Sequence, residues 1–425
     1  MTGMALLLVP LLPCLVTSAL PNAGKNATTS GVSSEEPVVS TADASLFISV
    51  YLGKRGTSSP KSSKRSLDMR SLDKNQTVAT LGANEKEKLD IRLPRSLKPL
   101  HYLIRLQPLI NGNLSIFGYV EVEMEVLEPT SNITLHLADI ITKNDTVKVS
   151  ALNGTASVGI KKQQYDPERE FYIAHLEKQL EKAEKYVLSM DFLGILGVFK
   201  GFFKSTYTDI DGTTKNVAAT IFQPTDARRA FPCFDEPALK ATFEVHLARE
   251  TWMTSLSNTP LAETRPVCFN NNREGQEGWV WDRFERSVPM STYLVAFLVS
   301  DFTYIESWKD DQAQFRVWAR RSAIENARYV ASIGPKILNF YEDYFNISFP
   351  LRKQDMVALP DLSALALGNW GLTNSSKVKD MDANQRSIQQ VLEEIKGNVG
   401  WMESNYDAIA EWLAEKGYSA GLVGF

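Results

Sequence analysis

Three cysteines in 425 residues are too few for a scaffold held together by dense disulfides. Histidine is as scarce. The four are His101, His136, His175 and His246, each followed by Tyr or Leu, and none lies beyond residue 246. The HExxH pattern sets two zinc ligands and a general base on one helix face, and it is not encoded anywhere in this sequence, so no metal ligands are assigned. Positive charge is not in excess either: Lys and Arg number 46 against 50 Asp and Glu, for a net charge of −4 and a pI near 5.8. That balance argues against a nucleic-acid partner or an anionic membrane surface, and it makes the basic run Lys61 to Arg70 a solvated linker. No hydrophobic run reaches membrane length.

The longest apolar run, Met4 to Val16 (MALLLVPLLPCLV), has the size of a secretory h-region. The small residues Ser18 and Ala19 follow it at the place of a cleavage site. It is too short and too broken by proline to span a bilayer well, so residues 1–18 are expected to be a signal peptide and the product a soluble, secreted glycoprotein. Eight Asn-x-Ser/Thr acceptors, at Asn26, Asn75, Asn113, Asn132, Asn144, Asn153, Asn346 and Asn374, point the same way. Removal of Cys14 with the leader leaves Cys233 and Cys268. An oxidising compartment permits a disulfide between them, and two buried thiols are the alternative.

Residues 19–88 are rich in Ser, Thr, Asn, Lys and Gly, a composition that buries too little surface to offset its ordering entropy and predicts a disordered, glycosylated stalk. Order is expected from residue 89. In YVEVEMEV, Val120, Val122, Met124 and Val126 alternate with Glu121, Glu123 and Glu125, which predicts a half-buried strand with the glutamates on its wet face. Further strands are expected at Ile133 to Leu137, Phe171 to Leu176, Lys185 to Phe192, Thr242 to Leu247 and Val280 to Phe284, and a doubly buried one at Thr292 to Val299. Short strands at this density predict a mainly β domain, an antiparallel sandwich or saddle, over 89–303. After Asp301 the pattern changes to α+β, with a strand at Gln314 to Ala319, a helix at Ser322 to Phe345 and a strand at Lys353 to Leu359. Residues 378–425 carry two apolar stripes at helical spacing, Ile388, Val391, Leu392 and Ile395, then Val399, Met402, Tyr406, Ile409 and Leu413, which predict amphipathic helices.

The stretch Lys215 to Phe243 sets Asp226, Arg228, Arg229, Asp235 and Glu236 among Phe222, Phe231, Phe234 and Phe243. Unpaired charges are expensive to bury among aromatics, so these either form an ion-pair network or line a cleft, and a buried structural network is the favoured reading over a catalytic one. Three segments in order, PTDARRAFPCFDEPALKATFE (Pro224 to Glu244), VPMSTYLVAFLVSDF (Val288 to Phe302) and GNWGLT (Gly368 to Thr373), closely resemble the zinc-dependent aminopeptidase N family of gluzincin metallopeptidases. The resemblance implies that 89–303 is that family's N-terminal β domain and 304–377 the opening of its thermolysin-like catalytic domain, truncated. Asn384 to Leu413 is more loosely similar to the family's last C-terminal helices.

The family's activity is zinc-dependent removal of N-terminal residues from peptides, and zinc is the full-length family's cofactor; none is expected in this chain. Its exopeptidase loop reads G-A-M-E-N before W-G-L, and the glutamate grips the substrate amine by a charge-assisted hydrogen bond. Aligned on NWG, this chain has Leu365-Ala366-Leu367-Gly368-Asn369, with Gly368 where the glutamate belongs; where the family commonly has a glutamine, it has Ile221. By resemblance, Ala366, Asn369 and Trp370 are the peptide-binding candidates, with core packing the favoured reading of Trp370. Three readings follow: a non-catalytic homologue that binds peptide, protein or glycan ligands; a shortened product of a locus encoding an active zinc metalloaminopeptidase; or an isoform prone to association through the apolar surface of a half lobe.

Overall fold

The computed structural model describes residues 90–154, 156–267, 278–309, 313–360, 362 and 366–376. The expected leader, stalk and helical tail, with Asn26, Asn75 and Cys268, lie outside them. The chain divides into two compact units, and the one running on from Leu93 is described here.

In chain order the strands are β1 (Leu97–Pro108), β2 (Ser115–Val126), β3 (Thr130–His136), β4 (Ile141–Thr142), β5 (Lys148–Ala151), β6 (Ser157–Val158), β7 (Ile160–Asp166), β8 (Phe171–Leu180), β9 (Lys185–Ile195), β10 (Gly201–Thr208), β11 (Thr214–Ile221), β12 (Thr242–Glu250), β13 (Thr254–Ser257), β14 (Leu261–Pro266), β15 (Trp279–Phe284), β16 (Phe297–Ser300), β17 (Thr303–Lys309), β18 (Ala313–Ala319), β19 (Lys353–Leu359), β20 (Ala366–Asn369) and β21 (Leu372–Ser376). The helix α1 spans Arg328–Phe345. Among the described residues no helix is long and apolar enough to cross a membrane.

The chain is mainly β. The largest sheet runs β14-β15-β12-β1-β2-β9-β5-β6, with β4 also on β9; a four-stranded sheet runs β10-β11-β16-β13 and a three-stranded one β3-β8-β7. Pairing in these sheets is antiparallel except where β12 lies parallel to β1, His101 opposite Thr242. The alternation of β2 is realised: Val120, Val122, Met124 and Val126 are buried, and Glu121, Glu123 and Glu125 lie half-exposed on the other face. Gly118 of this strand lets the Phe192 ring of β9 approach, since a Cβ there would stand 2.2 Å from the ring. The main core gathers Tyr102, Phe202, Phe222, Phe231, Phe243 and Phe297, with Tyr102 stacked on Phe243 at 4.8 Å. Each such aromatic contributes about 1.5–3 kcal/mol by leaving water.

The second lobe is a five-stranded sheet, β17-β18-β19-β21-β20, in which β18, β19 and β21 run parallel. On one face, Val330, Ala331 and Leu338 of α1 pack on Phe315 and Val317. The other face supplies Trp318, Val357, Leu359 and Leu372 to a core shared with Phe203, Val217, Ala219 and Leu298 of the four-stranded sheet.

Two expected elements are shorter than their patterns. Thr292 to Leu294 forms a 3-10 turn, and the strand begins only at Phe297. Side chains displace the ladder here: the Thr292 hydroxyl donates to Asp235 (2.7 Å) and the Ala296 N–H donates to the Asn258 side chain (3.0 Å). The helix expected from Ser322 is 3-10 over Arg321–Ala327 and α only from Arg328. Its end is marked by Asn346 in the left-handed region (φ 51°), with its N–H bonded to the Glu342 carbonyl.

Candidate functional site

The charges of the Lys215 to Phe243 stretch form an ion-pair network. Arg228 donates from Nε to Asp235 (3.0 Å) and from Nη1 to Glu170 (3.0 Å). Arg229 reaches Glu170 (3.1 Å), Asp226 (2.8 Å) and Asp139. The Asp235 N–H donates to His136 Nδ1 at 3.2 Å. Burial pushes the Asp235 carboxyl up, and Thr292 and Arg228 oppose it. Through Glu170, Asp139, His136 and Thr292 the network ties this stretch to other parts of the β domain, so it is a fastening. Cys233 beside it is a free, fully buried thiol, and burial raises its pKa well above the ordinary value. It is therefore unreactive.

The peptide-binding candidates fall on one hairpin. β20 pairs with β21, Gly368 opposite Thr373 and Asn369 opposite Leu372, with Trp370-Gly371 as the turn. Ala366 opens the hairpin opposite Ser375. Asn369 is buried, and Trp370, 4% exposed, belongs to the main core with its indole N–H unpartnered. The turn requires glycine: Gly371 has φ +77°, and a Cβ there would stand 2.1 Å from the Asn258 carbonyl. Ile221 ends β11 and lies in the same apolar cluster as Leu372, with Leu362 and Leu367 at its margin. The two positions at which the resemblance implies polar groups for a substrate amine, 221 and 368, thus carry a buried isoleucine and a glycine.

Beneath the turn lies a buried charge cluster that the strand pattern did not disclose. The Lys353 ammonium donates to the Ser257 carbonyl, the Gly371 carbonyl (2.9 Å) and Asp355 (2.7 Å). Asp355 also accepts from Arg316 (2.6 and 2.8 Å) and from the Trp318 indole (2.9 Å). Burial opposes ionisation of Asp355, but Lys353 and Arg316 outweigh it and hold the carboxyl below its usual range. Asn258 adds a second clamp, donating to the Leu294 (2.8 Å) and Trp370 (2.7 Å) carbonyls. These bonds fix the hairpin turn to β13 and the Thr292 turn. The available signal was Lys353-x-Asp355, opposite charges on one face of an apolar strand; their partners at 257 and 371 are too distant in sequence to be inferred.

Among the described residues no three His, Cys, Asp or Glu lie together as ligands. His101 Nδ1 bonds Thr242 (2.8 Å), His175 lies 3.3 Å from Gln164 and His246 lies 3.0 Å from Glu244, so the histidines are dispersed over the β domain. Of the acceptor asparagines, Asn113, Asn132, Asn144, Asn153 and Asn346 are exposed. Asn374 is not: it is fully buried in β21, with Nδ2 3.4 Å from the Thr220 carbonyl.

The profile of the peptidase M1 N-terminal domain matches residues 98–294, and that of the peptidase family M1 domain matches residues 329–397. Endoplasmic reticulum aminopeptidase 1 of Mus musculus is 36% identical over 323 residues, covering 74% of this chain and 33% of that protein. Aminopeptidase N of Haemonchus contortus is 35% identical over 298 residues, covering 68% and 30%, and that of Bos taurus 37% over 307 residues, covering 70% and 31%. The chain thus spans about a third of the length of these relatives. With a β domain and an α+β lobe falling where the two profiles match, the chain belongs to the M1 peptidase family.

Proposed function

We propose that this chain is a secreted, non-catalytic member of the M1 family that binds peptide or protein ligands at the lobe carrying β20 and β21. One observation carries the reading: position 368, where the resemblance implies an amine-gripping glutamate, is a glycine held in a well-formed hairpin, so a carboxylate is missing from an otherwise intact element. The absence of HExxH from the sequence supports it, as do the leader-like run and exposed acceptor asparagines for the secretory route. The recombinant chain is expected to bind no stoichiometric zinc and to release no amine from aminoacyl-coumarin substrates; metal analysis finding one tightly held zinc per chain overturns the reading. Gly368→Glu is expected to strengthen binding of peptides with a free N-terminus over N-acetylated ones about ten-fold, the scale of one charge-assisted bond. Equal affinities would remove the hairpin as the binding element.

The coverage of about a third of each relative favours a second reading, that these residues belong to a longer zinc metalloaminopeptidase. Sequencing the transcript across the codons for Gly371 to Asn384 separates the two. Continuation into a segment encoding HExxH supports the longer protein, in which Ile221 and Gly368 would still alter the grip on the amine.

A further inference from the structure

Asn374-Ser375-Ser376 is an N-glycosylation acceptor threaded through the interior of a sheet. β21 has a neighbour on each side, with Asn374 opposite Val357 of β19 and Leu367 of β20. The Asn374 side chain is 0% exposed, and its amide reaches across to the Thr220 carbonyl of β11. Thr220 is itself buried and accepts the Phe297 N–H at 3.0 Å. The space around Asn374 is that of the shared core, with Val357, Leu372 and Ala219 among its buried members, and interiors packed at crystal-like density have no room for a sugar.

We propose that a glycan on Asn374 and the folded second lobe are mutually exclusive, so that this asparagine is a modification site open only in the unfolded chain. In the transfer, the Asn374 amide nitrogen attacks the anomeric carbon of a lipid-pyrophosphate-linked oligosaccharide. An N–C bond forms, the C–O bond to pyrophosphate breaks, the lipid pyrophosphate leaves with the electron pair, and the amide gives up one proton. The product keeps one N–H, so the hydrogen bond to Thr220 survives in principle; the bulk does not fit. A chain modified there cannot seat β21 between β19 and β20 and loses the carbonyl of Gly371 from the Lys353 ammonium. Asn113, Asn132, Asn144, Asn153 and Asn346 are exposed and carry no such conflict.

The test is transfer in vitro, which does not depend on the secretory reading above. The full chain, either folded or freshly diluted from urea, is incubated with oligosaccharyltransferase and lipid-linked donor, and occupancy is mapped by peptide mass spectrometry. Occupancy at Asn374 is expected to be at least about a hundred-fold lower in the folded sample, because access requires opening a buried strand. Molecules modified there are expected to lose hydrogen-exchange protection over 353–359 and 372–376. Ser376→Ala, which removes the acceptor and keeps Asn374, is expected to abolish transfer and retain protection; should that variant not fold, the wild-type comparison decides alone. Transfer to Asn374 in the folded chain, or unchanged protection of both strands after modification, overturns the inference. A chain unmodified at all sites in a secretory host would sink the secretory reading and leave the in-vitro outcome to stand.

Discussion

Lys353 carries its charge into a space closed to water, and three acceptors meet its three N–H groups. Replacing it with Met leaves Asp355 and two carbonyls short of a partner, and removal of one member of a buried ion cluster costs about 3–5 kcal/mol. Urea unfolding of Lys353→Met is expected to show a loss of that size, whereas Arg328→Ala, which breaks the exposed pair with Glu325, is expected to leave the midpoint unmoved. His101 sets the acid response. Burial, reinforced by the Arg286 guanidinium 3.2 Å from Nε2, lowers its pKa from 6.5 to about 4. The unfolded chain therefore takes up a proton over that interval that the folded chain refuses. The stability is complete above pH 6.5 and falls as pH drops toward 4, by up to about 1.4 kcal/mol per pH unit. His101→Gln is expected to flatten this limb of a stability-versus-pH curve. It should leave the lower limb set by Glu244, held down to about 2 by the His246 hydrogen bond and by Arg283 against the pull of burial, whose stabilisation is lost between pH 4.5 and 2. Neither behaviour was legible in the sequence. His101 lies in a strand like any other, and what depresses it is burial and the guanidinium of Arg286, far away in sequence.

At the scale of elements, strands declared themselves where one face is wet. β2 could be read residue by residue because Glu121, Glu123 and Glu125 mark the outside of an otherwise apolar ladder. Thr292 to Val299 was apolar throughout and gave no such phase, so the turn inserted by Asn258 and Asp235 was invisible. The start of α1 failed for a related reason, since periodicity counts apolar positions and does not distinguish a 3-10 turn from an α turn over a few residues. The candidate hairpin was found through resemblance, and its rigidity was not. Gly371→Ala is expected to destabilise by more than the ~1–2 kcal/mol of a left-handed alanine, because the new methyl meets the Asn258 carbonyl as well; hydrogen exchange should show β20 and β21 losing protection first. At the far end of α1, Asn346→Gly is expected to be neutral and Asn346→Val to cost about 1 kcal/mol or more by thermal melting.

The whole molecule joins the β domain to the second lobe through one core, because Phe203, Val217 and Leu298 pack with Trp318, Val357 and Leu372. Unfolding of the described part is accordingly expected to be a single cooperative transition by calorimetry, and two resolved transitions would mean that the shared core couples the lobes weakly. The division into a β domain followed by an α+β lobe was readable from the change of pattern after Asp301. The order of strands was not, since period-2 patterns say which face is buried and nothing about which strand lies alongside.

The parallel seat of β12 beside β1 joins Thr242 to His101, 141 residues apart. During synthesis β1 can fold onto β2 at once, but its other edge stays open until residue 242 emerges, roughly 7–30 s later at ordinary elongation rates. For that interval the nascent chain presents an unpaired strand edge, Leu97 to Pro108, next to the apolar side chains that become the main core. Such an edge is a template for pairing with other chains, and the ribosome's pace over residues 109–242 sets how long it stays open.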